Sequence, residues 1–243
     1  MRRSLVDQRR FDKRSKRANS SVESATKVIR VAHDINGIKA HLRRSAAALE
    51  RAASNEEFVK VVQTAIDVVT KAYQHRRKLL IAGNGGSAAD AQHIAAEFVA
   101  RYRFDRTPLS AIALSTDTSV LTAIGNDYGY EHVFERQLRG LGQTGDVFIG
   151  ISTSGRSPNI LAALKTARQL GITAVGFTGS GEHAAPMRAL TDHLLVAPTD
   201  DTPIVQQVHI AAAHAICEAV EHNLFKDDAE TTLGSNICGN TLR

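Results

Sequence analysis

The chain has 243 residues, 43% hydrophobic and 23% charged, which suits one α/β domain with a substantial core. Its formal charge of +5 is lopsided: residues 1–17 hold eight Lys/Arg against Asp7 and Asp12, a net of +6, leaving −1 for the remainder. The near-neutral body argues against nucleic-acid binding by the core, the two cysteines (Cys217 and Cys238) lack the spacing of a disulfide framework or thiolate metal site, and no apolar run is long enough to span a bilayer.

In chain order, residues 1–34 read as a basic, disordered head that lacks the apolar segment of a secretory signal, so the expected location is the cytoplasm. Over 35–53, Ile35, Ile38, Leu42, Ala46 and Leu49 recur at helical spacing. Asn55 with Glu56 and Glu57 starts a second helix, which is expected to carry Phe58, Val59, Val62, Ile66, Val69 and Tyr73 toward a core. Two helices ahead of the first strand have little sheet to cover and are expected to meet another subunit.

Residues 79–83 then read as a buried strand running into Gly83-Asn84-Gly85-Gly86-Ser87 and a helix of small residues. The glycines admit unusual backbone conformations and a close ligand, and Ser87 is the expected N-cap of a helix whose free amides suit an anion. His93 and Glu97, four residues apart, project from one face of that helix. The order of residues is neither Gly-x-Gly-x-x-Gly nor a P-loop, so dinucleotide and nucleoside-triphosphate binding drop out.

Downstream the pattern alternates. Residues 109–114, 146–152, 173–178 and 193–197 read as strands. Residues 120–124, 131–141, 160–170, 182–190 and 203–225 read as helices, and 226–243 as a polar tail. Strands separated by helices imply a doubly wound parallel sheet, with ligands at the carboxyl ends of its strands. At one such end Ser152, Thr153, Ser154 and Ser157 gather hydroxyls around Gly155, just ahead of a helix, as a neutral nest for a phosphate monoester. On the last helix Gln206 and His214 fall roughly 80° apart on the wheel, whereas His209 points elsewhere.

Taken together, AGNGGSAADAQHIAAEF, STDTSVLTAIGNDYGYE, GDVFIGISTSGRSPNIL and GFTG, followed by Gln206 and His214, closely resemble the phosphoheptose isomerases of the sugar isomerase (SIS) superfamily over about residues 35–225. The resemblance implies a flavodoxin-like parallel sheet of five strands, with N-terminal helices, in a homotetramer with active sites at subunit interfaces. It implies interconversion of a phosphorylated seven-carbon sugar, sedoheptulose 7-phosphate, with its aldose, for heptose and surface-polysaccharide synthesis. By the same resemblance Asn84, Gly85, Gly86, Ser87, Asp117, Ser152, Thr153, Ser154, Ser157 and Gln206 are the expected substrate and phosphate contacts, and Glu97 and His214 the acid–base pair. His93, Glu97, Gln206 and His214 match positions that hold zinc in some members. The rival readings are a non-catalytic SIS protein that binds a replication initiator and an isomerase of another sugar phosphate. Retention of both Glu97 and His214 argues against the first.

Overall fold

A computed structural model describes residues 35–181 and 184–238; the basic head and residues 182–183 and 239–243 lie outside the described residues. The chain divides into two units, residues 1–47 and 48–243. In the first, the described residues are the opening turns of helix α1 (Ile35–Ala53), where the Ser45 hydroxyl donates to the His41 carbonyl at 3.1 Å.

The second unit carries the rest of α1, then α2 (Glu56–Gln74), β1 (Leu79–Gly83), α3 (Gly86–Val99), β2 (Ala111–Ala113) and α4 (Thr118–Tyr128). A 3-10 turn (Tyr130–His132), α5 (Val133–Leu141), β3 (Val147–Ile151), α6 (Pro158–Gln169) and β4 (Thr173–Gly179) follow. The chain ends with α7 (Ala185–Arg188), β5 (His193–Ala197) and α8 (Thr202–Cys238). The sheet has five strands in the order β2-β1-β3-β4-β5, and every pairing is parallel.

Strand side chains alternate between two separate cores, which is what a doubly wound sheet requires. Leu79, Ile81, Val147, Ile149 and Ile151 join α2, α3 and α8 on one face. Leu80, Ala82 and Phe148 join α5, α6 and α7 on the other. The order reverses between β1 and β3, whose successors leave for opposite edges; a crevice opens there at the carboxyl ends. Among the described residues no helix is long and apolar enough to cross a membrane.

Local chemistry accounts for most boundaries. The Asn55 side chain accepts from Phe58 N at 3.0 Å and caps α2 as expected. Gly171, at φ +69°, lies just beyond the end of α6. Other limits differ from the sequence expectation. Asp117 caps a helix α4 longer than 120–124, and the helix expected over 131–141 begins as a 3-10 turn. Strand β2 keeps only three residues, and the Leu109 amide, expected in the strand, donates instead to the Phe98 carbonyl at the end of α3 at 3.0 Å. Of the helix expected over 182–190, the described residues 184–190 keep one turn, Ala185–Arg188. Helix α8 breaks its dihedrals at Phe225 (φ −132°, ψ 30°), where the sequence pattern ends it, but helical backbone resumes as far as Cys238. Residues 226–238 contain no proline to forbid this.

One polar side chain sits deep in the α8 face. His209 is 1% exposed, its Nε2 donates to the Thr178 carbonyl at 3.1 Å, and Nδ1 has no partner among the described residues. Burial drives its pKa down to about 4, the bond to Thr178 opposing only in part. The unfolded chain, with an ordinary imidazole near 6.5, therefore binds more protons than the folded one below that pH. Stability should be full above pH 6.5 and fall as the pH drops toward 4, by roughly 3 kcal/mol at most at 1.36 kcal/mol per pH unit. Chemical denaturation across that range should show the loss in the wild type and a flatter profile in His209→Gln.

Candidate active site

The turn after β1 owes its shape to two glycines. Gly85 takes φ +56°, so it, rather than the expected Ser87, is the cap residue of α3. Ser87 lies inside the first turn, buried, with its amide donating to the Asn84 carbonyl at 3.0 Å. Gly86 allows a different closeness: a Cβ there would come within 2.3 Å of Gln206 Nε2. Helix α8 thus meets the start of α3 through the Gln206 amide, in space that any side chain at 86 would occupy.

Across the crevice, Asn84 and Asn159 exchange reciprocal side-chain bonds of 2.9 Å, tying the β1 turn to the first turn of α6. The serine loop folds beside them. Ser152 and Ser157 hydroxyls bond each other at 2.9 Å, the Ser157 amide approaches Ser152 Oγ at 3.4 Å, and Gly155 turns the chain at φ +65°. The Ser157 side chain makes no capping bond to α6, and Pro158 opens that helix. Ser154 is exposed, Thr153 half-buried. A cavity of about 560 Å³ opens here, lined by Asn84, Tyr130, Glu131, Ser157, Pro158 and Asn159. That is within the usual size of small-molecule sites.

Farther along α3 stands a three-residue cluster. His93 Nε2 lies 3.1 Å from Glu97 Oε1 and 3.0 Å from His214 Nε2, the last brought in by α8. One ligand atom from each residue falls within 4.8 Å of the others. A hydrogen bond between the two ring nitrogens requires a proton on one of them, with the other as the acceptor. The result is three converging donor atoms, two nitrogen and one oxygen, which is chemistry that a divalent cation can satisfy in place of that proton. His93 is exposed and Glu97 half-buried, so the cluster is open on one side.

The helical spacings therefore bring His93, Glu97 and His214 together. Gln206 comes from the same helix as His214, two turns earlier, with its amide at Gly86. Asp117 accepts from Val120 N at 3.0 Å and caps α4. His209 faces the sheet, as its angle on the wheel requires.

Several neighbours had no distinguishing sequence signal. Tyr130 and Glu131 line the cavity, and the Tyr102 ring lies 5.8 Å from the His214 ring. Asp90, one turn before His93, has an oxygen without a partner among the described residues; burial raises its pKa, while His93 partly opposes the shift. Cys217, one turn after His214, is buried, and burial, then Glu97 and Glu221, push its thiol pKa up. The signals available were indirect: the i,i+3 step from Asp90 to His93, and aromatics placed beside glycines.

A family model described as the SIS domain matches residues 41–179. A phosphoheptose isomerase of Bradyrhizobium sp. (strain BTAi1) is 56% identical over 198 residues, which is 82% of this chain and 98% of the relative. Among solved structures, the phosphoheptose isomerase from Neisseria gonorrhoeae is 40% identical with a TM-score of 0.70, covering 76% of this chain and 96% of that one. The phosphoheptose isomerase from Francisella tularensis is 30% identical with a TM-score of 0.73, covering 77% and 98%.

The contact between Gly86 and Gln206 is open to a direct test. Gly86→Ala should destabilise the wild type more than it destabilises a Gln206→Ala background, where the obstructing amide is gone. A coupling of about 0.5–3 kcal/mol is expected from a double-mutant cycle followed by chemical denaturation.

Proposed function

The chain belongs to the phosphoheptose isomerase family of SIS-domain proteins, and on that premise we propose that Glu97 and His214 carry the proton transfers of its isomerisation. The reaction interconverts sedoheptulose 7-phosphate and D-glycero-D-manno-heptose 7-phosphate through an enediol. The convergence of His93, Glu97 and His214 on helices that start at carboxyl ends of strands is the observation that carries this reading.

From the ketose side, a base removes a proton from the first carbon while an acid protonates the carbonyl oxygen on the second, giving the enediol. Returning a proton to the second carbon and releasing the one on the first hydroxyl yields the aldose. Two groups that exchange protons on opposite sides of one two-carbon unit suffice. The Glu97 carboxylate is the base and the His214 imidazole the donor to oxygen, with His93 holding Glu97 at 3.1 Å. The phosphate is anchored at the Ser152–Ser157 loop, by Ser154, Thr153 and the N-terminal amides of α6, with Asn84, Gly85, Gly86 and Ser87 beneath the sugar. Asp117 and Gln206 belong to the same set of contacts.

The donor atoms of His93, Glu97 and His214 fit zinc, and Gln206 is the further donor implied by the family pattern. When bound, the ion supplies positive charge to a developing enediolate oxygen. A carboxylate engaged by a metal is a poor base, so Glu97 cannot be ligand and base in full at the same moment.

The same reading takes the enzyme to be a cytoplasmic homotetramer. Self-association, though not the location or the number of subunits, is supported by an apolar groove of about 350 Å³ lined in part by Leu49, Phe58, Val59 and Val62, with Leu49 and Val59 exposed. A second copy of the chain would cover it.

Glu97→Gln and His214→Asn should assemble normally yet lower turnover by about 10²–10⁴-fold, the usual worth of a positioned acid or base. The measurement is turnover per assembled oligomer, with exchange of substrate hydrogen into solvent followed alongside; wild-type values for both would remove these residues from the reaction. Ser154→Ala should weaken substrate binding by about 0.5–1.5 kcal/mol without a matching change for the unphosphorylated sugar.

A further inference from the structure

A second charged assembly lies beneath the three-residue cluster. Arg106 and Glu221 form an ion pair, Nε to Oε1 at 2.9 Å, with side chains 0% and 1% exposed. Neither fills a core merely by bulk. The Arg106 guanidinium also donates from Nη2 to the Glu97 carbonyl at 2.9 Å and from Nη1 to the carbonyls of Phe98 at 2.7 Å and Thr107 at 3.2 Å. The last carbonyls of a helix have no partner of their own, and a cation there also meets the negative end of the helix dipole. Arg106 therefore binds the last turn of α3, which runs to Val99, at the residue that bears the Glu97 carboxylate.

Glu221 does the matching work from α8. Its two oxygens accept from the amides of Tyr102 at 2.9 Å and Arg103 at 2.7 Å, besides the guanidinium. Seven residues separate Glu221 from His214, so the two share a face of α8 about two turns apart. Tyr102, whose amide Glu221 holds, lays its ring 5.8 Å from that of His214. Phe225, where α8 kinks, closes the far side with its ring 5.7 Å from the guanidinium carbon.

We propose that Arg106 and Glu221 are positioning residues for the isomerisation: their buried pair sets the separation of Glu97 on α3 from His214 on α8. A side chain with one charge and no fork could neutralise Glu221, but it could not also bind the Glu97, Phe98 and Thr107 carbonyls. The placement needs the geometry of guanidinium as well as its charge. An offset of an ångström between reacting groups is enough to slow the chemistry without touching the phosphate end.

The inference rests on Glu97 and His214 being the acid–base pair, so Glu97→Gln is run beside it. The test variants are Arg106→Lys, which keeps both charges, and the doubly neutral Arg106→Gln/Glu221→Gln, which leaves no buried charge unpaired if the first fails to fold. In whichever assembles, kcat per oligomer should fall about tenfold or more while KM and inhibition by inorganic phosphate stay within about twofold. A purely architectural role predicts a lower melting temperature and less oligomer, with wild-type kcat in what assembles; that result, or a rise in KM at unchanged kcat, overturns the proposal. Wild-type turnover in Glu97→Gln would instead overturn the acid–base assignment, and an inactive Glu97→Gln with fully active pair variants overturns the positioning role alone.

Discussion

The site depends on how closely α3 can lie against α8. Helix α3 begins Gly86-Ser87-Ala88-Ala89, residues with little or no side chain, and the Gln206 amide occupies the room left at Gly86. Two turns on, the same two helices bring His93 and His214 to 3.0 Å. Larger residues early in α3 would force the helices apart, and imidazoles carried on their facing sides would separate with them. Small residues are poor contributors to hydrophobic burial. Here their value is access, and the apolar packing comes from Ala91, Ile94 and Phe98 on the sheet side of the helix.

Charge is distributed unevenly over the crevice. The loop proposed for the phosphate presents Ser152, Thr153, Ser154 and Ser157, groups that are neutral at every working pH. His93, Glu97 and His214 gather at the other end, with Asp90 nearby, while Arg156 lies within the serine loop and Glu131 lines the cavity beside it. The two ends also rest on different layers of the fold. Helix α6 packs over the core with Phe148, whereas α3 and α8 pack over the core with Ile149 and Ile151.

How much of this was legible in the sequence follows the distance over which each feature is encoded. The strand-turn-helix at Gly83–Ser87, the i,i+4 step from His93 to Glu97 and the cap at Asn55 are local, and residue type with spacing is enough to read them. The doubly wound sheet came from the alternation of apolar runs and helical periods, although β2 shrank to three residues, with the Leu109 amide bonded to the end of α3. The misplaced cap shows the limit: Ser87 is the better capping residue by type, but the positive φ of Gly85 starts the helix earlier. Asn84 with Asn159 and Arg106 with Glu221 lie 75 and 115 residues apart, and no periodicity links them. Tyr130 and Glu131 reach the cavity only because a 3-10 turn, in place of a regular helix, carries them there.

Cys217 stands one helical turn from His214, close enough in sequence to look like a fourth donor, yet it is buried with its thiol held protonated by the apolar surroundings and two carboxylates. The cluster is thereby left with nitrogen and oxygen donors only. Soft thiolate is the ligand that would favour a soft ion over its rivals; imidazole and carboxylate accept most first-row divalent ions in the common order of affinity. Occupancy of such a set would track the supply of free metal in the cell more than any preference of the protein, and exchange between ions would be governed by access through the open side at His93.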